Sequence, residues 1–233
     1  MQSAILALLL VAGLAASTVW FVVVGASHAR RTKVLARRAN EMGMLFSVDD
    51  PFDIPRRYAD FAIVSSGHSG RACNVTHGRI EGLPARAFDF HYELGHGTRR
   101  LRRCYGVVSL ETGGQLPSLL LWQEPEATFA PLAVLQTDGR RGGWSFRGEA
   151  VLADIVLAAD PAPPGLGACF ETQGGTLILA TPVRRRQDYA ASLAALGRVL
   201  LAVKGAGLLE PHRRDVPAAR ASGKSHGSIG CEG

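Results

Sequence analysis

Apolar and polar residues are arranged in three ways along this 233-residue chain, and each arrangement predicts a different element. The first is an unbroken apolar run. Ser3 to Ala26 (SAILALLLVAGLAASTVWFVVVGA) contains no charged residue, and Arg30 is the first in the chain. As a helix the run extends about 36 Å against a hydrocarbon core of about 30 Å, which predicts a transmembrane helix. A secretory signal has a basic start and an apolar core of about 7–15 residues. Here only Met1 and Gln2 precede the run, and it continues beyond Ala15-Ala16-Ser17 through Val24, so an uncleaved span is expected.

The second arrangement has a period of two. Phe88, Phe90 and Tyr92 alternate with Asp89, His91 and Glu93, as on a strand with one buried face. Ala72–Ile80 precedes it across the turn pair Glu81-Gly82, and Leu101–Glu111 follows the turn Gly95–Thr98. These predict a three-stranded antiparallel meander over 71–111. Placing Phe90 opposite Cys104 puts Cys104, Gly106, Val108 and Leu110 on the aromatic face and Asp89, His91 and Arg103 on a wetter one. The third arrangement is a helical stripe, Tyr189, Leu193, Leu196, Leu200 and Val203. It predicts an amphipathic helix from a Thr181-Pro182 cap to about Lys204, lying across the sheet.

Weaker signals fill the intervals. Arg31–Met42 reads as a helix ended by Gly43, and 51–61 as a short helical piece capped by Ser47 or Asp49. Strands are expected at Ala62–Ser66, Pro117–Trp122, Pro131–Gln136, Val151–Ala158 and Gly175–Ala180, with a loop over Thr137–Gly148. From Pro211 onward no apolar period remains, which predicts a disordered tail. The expected class is therefore α+β: an N-terminal transmembrane helix, then one domain with a mostly antiparallel sheet packed by a C-terminal amphipathic helix. The expected boundaries are a transmembrane anchor at 1–28, a basic juxtamembrane helix at 29–43, a globular domain at 44–207 and a disordered tail at 208–233.

Charge adds an orientation. The chain has net charge +6, but residues 27–38 alone carry five basic and no acidic side chains, while 39–210 carry 17 basic against 18 acidic. The folded part is neutral, which argues against a nucleic-acid footprint. The basic cluster Arg30, Arg31, Lys33, Arg37 and Arg38 is placed to meet anionic lipid headgroups beside a bilayer contacted through residues 3–26. Cationic residues stay on the cytoplasmic side. The chain is therefore expected in the plasma (inner) membrane as a single-pass protein, N-terminus out and globular domain cytoplasmic. Four widely spaced cysteines without a CxxC pair then read as free or buried thiols.

Catalytic signatures do not emerge. Gly223-Lys224-Ser225 ends like a phosphate loop, but Ala218 stands where its first glycine is needed. Ser69 lies between His68 and Gly70 and not in a GxSxG elbow, and His91 and His96 are five residues apart across a turn. The acidic trio Asp49, Asp50 and Asp53 reads as turn and cap residues. His68, Cys73, His77, His91, His96 and Cys104 form the one group with zinc-compatible chemistry, but strand alternation sends them to different faces. Arg99, Arg100, Arg102 and Arg103 could meet phosphoinositol-type or other anionic headgroups, or an acidic partner, but on a strand they split between faces and read rather as a solvated edge. No catalytic, cofactor-binding or metal-ligating residue and no cofactor is assigned.

Asn74-Val75-Thr76-His77-Gly78, Gly82, Phe88-Asp89-Phe90-His91-Tyr92, Val107-Val108 and Leu116-Pro117 together form a pattern over about residues 40–125. It resembles an uncharacterised family of single-span, membrane-anchored bacterial proteins with an N-x-x-x-G … F-D-Y-x-Y hairpin, with Phe90 and Gly106 departing from that pattern. The resemblance implies an N-terminal anchor and brings no activity. The function expected from the sequence is a membrane-tethered, non-enzymatic binding or scaffold module facing the cytoplasm. The alternative is a zinc-dependent enzyme or metal-binding domain using the His/Cys cluster at 68–104.

Overall fold

The computed structural model describes residues 2–123, 136–162, 167–183 and 189–211. The chain opens with α1 (Gln2–Glu41), then β1 (Leu45–Ser47), α2 (Ile54–Arg57), α3 (Ala62–Ser65), β2 (His68–Ile80) and β3 (Leu83–Leu94). A single 3₁₀ turn at Gly97–Arg99 leads into β4 (Leu101–Glu111), β5 (Gly114–Gln115) and β6 (Leu119–Gln123). After these come β7 (Gly139–Arg141), β8 (Trp144–Gly148), α4 (Ala150–Ala158), β9 (Cys169–Gln173), β10 (Thr176–Pro182), α5 (Ala190–Gly205) and β11 (Glu210–Pro211).

Among the described residues nine strands form one antiparallel sheet in the order β1-β2-β3-β4-β10-β9-β6-β8-β7, and β11 pairs separately with β5. The expected α+β class, antiparallel sheet and meander all stand. Glu81 and Gly82 both take positive φ, 51° and 81°, the backbone of a tight two-residue hairpin between Ile80 and Leu83. The sheet carries a core on each face. On one face Ala85, Ala87, Val108, Leu177 and Leu179 pack against Leu35 and Ala39 of α1 and the buried sides of α4 and α5. On the other, Phe88, Phe90, Tyr92, Tyr105 and Val107 pack against Ile54, Tyr58, Ile63 and Val64 of the α2–α3 segment. The α5 stripe is buried as expected, Tyr189, Leu193, Leu196, Leu200 and Val203 all lying in the first core.

The transmembrane helix is corrected. Among the described residues no helix is long and apolar enough to cross a membrane. The apolar run belongs to α1, which runs from Gln2 to Glu41 and includes the charged residues from Arg30 to Glu41. The apolar run and the basic segment form one element, and its end is docked on the sheet. Residues 2–41 are thus one continuous helix across the expected boundary at 28/29, followed by Gly43 at φ 67°.

Six local expectations are also corrected. The register between β3 and β4 is one residue away from that expected: Phe90 faces Tyr105, and His91 faces Cys104. Because side chains alternate, that single step moves every β4 residue to the opposite face. Tyr105 and Val107 therefore join the aromatic face. Asp89 is on the opposite face as expected, but that face is covered by α1 and the entry to α5, so it is buried and not wet. Ala62–Ser65 and Val151–Ala158 are helical, not strands. In the latter, Leu152, Ala153 and Val156 are the buried positions, a helical spacing hidden inside a run too uniformly apolar to show its period. Thr181 and Pro182 end β10, and α5 begins at Ala190. The loop expected over Thr137–Gly148 is the β7–β8 hairpin. The acidic turn is capped by Asp50, whose carboxylate accepts the Phe52 and Ile54 N–H groups at 2.9 and 2.6 Å. The strand expected at Pro131–Gln136 falls almost wholly outside the described residues, as do tail residues 212–233.

Candidate functional site

β9 reads CFETQ, and its alternation turns Cys169 and Glu171 toward the same face as Trp122 and Leu120 of the neighbouring β6. That face is covered at this point by the start of α3. Glu171 is only 8% exposed. Its Oε2 accepts the Ala62 backbone N–H at 2.7 Å, which satisfies one of the orphan donors that open a helix. Burial pushes the Glu171 carboxyl up, the Ala62 N–H draws it back in part, and the group titrates at about 7.

A cleft of about 460 Å³ opens between α3 and the β8–β6–β9 strands, and Glu171 is part of its wall. Ser118, Arg147 and Gln173 add hydroxyl, guanidinium and amide groups, while Leu120 forms an apolar edge. One side depends on Gly148. It sits at φ 115°, and a Cβ there would lie 2.3 Å from the Ser118 carbonyl oxygen, so a side chain would close the strands' approach. A carboxyl that titrates near neutrality beside these groups both donates and accepts hydrogen bonds. That suits hydroxyl-bearing ligands.

A second concavity, about 490 Å³, lies over Arg57, Tyr58, Glu111 and Gly175. Its charge is spent internally. Burial pushes the Glu111 carboxyl up, but hydrogen bonds from Arg57 and Arg86 more than offset this and hold it below the usual carboxylate range.

The buried polar centre of the molecule is Asp89, 2% exposed. Arg31 donates from Nε to Oδ2 at 2.8 Å and from Nη2 to Oδ1 at 2.5 Å, a two-pronged pair. Asn74 Nδ2 donates to Oδ2 at 2.9 Å and Tyr189 Oη to Oδ1 at 2.8 Å, while Thr32 Oγ1 donates to Asn74 Oδ1. Four elements or their flanks meet on one carboxylate: α1, β2, β3 and the entry to α5. This network is structural, and it takes Arg31 away from the lipid-facing set expected from the sequence. Arg37 and Arg38 pair with Glu41, while Arg30 and Lys33 are exposed.

The six His/Cys residues are dispersed. Cys104 Sγ lies 3.5 Å from His91 Nε2. His68 stacks on His96 at 4.9 Å between centroids, and His77 meets the Phe52 ring edge-on. Burial, then the nearby Asp89 carboxylate, pushes the Cys73 and Cys104 thiols up to about 11 and 12, so neither is a ready thiolate ligand. Among the described residues no three His, Cys, Asp or Glu side chains are grouped to hold a metal ion.

Sequence reasoning missed both Asp89 as a buried hub and Glu171 as a cleft wall. β9 was obscured by the Pro/Gly-rich stretch before it, and Cys169-Phe170-Glu171-Thr172 shows no apolar/polar alternation.

No protein-family model matches the chain, and no curated protein matches it. Among solved structures, the chain is similar to the crystal structure of the mycobacterial trehalose monomycolate transport factor A, TtfA. The TM-score is 0.55 at 12% identity, covering 78% of this chain and 97% of that one. At that identity the likeness is one of fold.

Proposed function

We propose that this chain is a non-enzymatic binding module serving lipid transport, and that the cleft at Glu171 takes the polar, hydroxyl-bearing head of an amphipathic lipid. The observation that carries the reading is the fold held in common with a protein named for transport of trehalose monomycolate, over 97% of that protein's chain. The cleft supports it. Its volume falls in the range of about 300–1,000 Å³ usual for small-ligand sites, and polar and apolar groups line it together. Arg147 donates to sugar oxygens, Glu171 and Gln173 donate and accept, and Leu120 meets the start of an acyl chain.

Calorimetric titration with trehalose monomycolate, and with free trehalose as the headgroup probe, tests the reading. Saturable binding of the ester, weakened about tenfold or more by Arg147→Ala through loss of a charge-assisted hydrogen bond, is the expected result. Absence of binding by the folded wild-type chain would overturn it.

A further inference from the structure

The direction of α1 has a consequence for the surface at one end of the sheet. Arg31 is level with Asp89 and Thr32 with Asn74, while Met44, just past the helix, packs on Gly78. Gly78 pairs with Ala85, so α1 runs antiparallel to β3. From Asp89 to Leu94 the strand advances about 17 Å, a distance the helix covers in about 11 residues back from Arg31, near Trp20. The start of α1 therefore leaves the fold past the β3–β4 turn. The described side chains there are unpacked, and Trp20 and Phe21 are 69% and 75% exposed.

That turn is cationic. Arg99, Arg100 and Arg102 are exposed around the exposed Leu101, and the one carboxylate they share is Glu93, which pairs with both Arg100 and Arg102. Exposed Arg71 on β2 and exposed Arg30 on α1 lie toward the same end. By contrast, the arginines at the other end of α1, Arg37 and Arg38, are matched by Glu41.

We infer that this end of the molecule, the β3–β4 turn together with the apolar start of α1, is a contact surface for an anionic lipid membrane. The guanidinium groups, in excess of the one Glu93 carboxylate, meet phosphate headgroups while Leu101, Trp20 and Phe21 meet the apolar boundary below them. Charge selects the partner. An apolar helix alone would not discriminate anionic from zwitterionic lipid, and an arginine patch alone would have no use for the exposed tryptophan.

Sedimentation of the full chain with vesicles tests this, using phosphatidylcholine alone and phosphatidylcholine mixed with phosphatidylglycerol. Preference for the anionic vesicles is expected. Arg99→Gln with Arg102→Gln should weaken that binding about 30-fold, following the usual contribution of each basic residue at an anionic surface. Arg37→Gln with Arg38→Gln, an equal change of charge at the other end, should leave it near wild type. Trp122 and Trp144 are buried, so a blue shift of tryptophan emission on binding reports Trp20 and should vanish in Trp20→Phe. Equal binding to both vesicles, equal weakening by the two double variants, or no blue shift would overturn the inference. Thermal melts of each variant separate lost binding from lost folding, and vesicles without glycolipid keep the result independent of the cleft.

Discussion

Glu171 carries more of this account than any other side chain because its environment leaves it undecided between acid and base at neutral pH. Its folded-state titration at about 7 lies above the ordinary 4.5, so the folded chain holds this proton more tightly than the unfolded chain. Below the ordinary value both states are protonated and stability is fully present. As pH rises toward about 7 the unfolded chain ionises first, stability falls, and the loss levels off above that value at about 3 kcal/mol. Urea denaturation of wild type and Glu171→Gln between pH 4 and 8 should therefore show their difference changing through that window, wild type losing ground as pH rises. Parallel pH profiles would mean that the carboxyl ionises normally and is not held in the wall as described. The sequence could not reveal this residue. A glutamate in a short stretch has the same appearance whether its face meets solvent or a helix N-terminus from a hundred residues away.

Asp89 shows how elements are tied together, and why part of the fold was legible and part was not. The hairpin at Glu81-Gly82, the aromatic period of β3 and the α5 stripe were readable because each pattern is local and repeats. The β3–β4 register was not, because the turn between them is longer and both β4 faces carry apolar residues. The face of Asp89 was legible from the β3 period, but not its burial, because α1 and its Arg31 reach that face only on folding. The helix at Ala150–Ala158 was equally hidden, its apolar run matching strand and helix alike. Since α1 docks through Arg31 and Thr32, loss of the Asp89 carboxylate should loosen the whole helix. Asp89→Ala leaves a part-buried guanidinium uncompensated and should lower the unfolding free energy by about 3–5 kcal/mol. Adding Arg31→Leu should recover much of that loss. A single variant as stable as wild type in urea melts would show that apolar contacts of Leu35 and Ala39 hold α1 alone.

Across the whole molecule, one antiparallel sheet with a core on each face separates three tasks. The face bearing α1, α4 and α5 is closed by Asp89 and its partners. The opposite face opens at the end of α3 into the Glu171 cleft. The end of the sheet beyond the β3–β4 turn presents cations beside an exposed apolar helix. The sequence identified the apolar run and the basic residues, but it assigned the lipid contact to side chains that the fold in part uses internally, Arg31 above all. No reading of composition separates the arginines matched by Asp89 and Glu41 from those left around Leu101, because the partners are brought together only by folding. The most direct test of the binding-module account is the pattern of backbone amide NMR shifts on adding trehalose monomycolate. The account predicts changes concentrated at Ala62, Gly148 and Thr172 around the cleft; an unperturbed cleft, with changes confined to other surfaces, would contradict it.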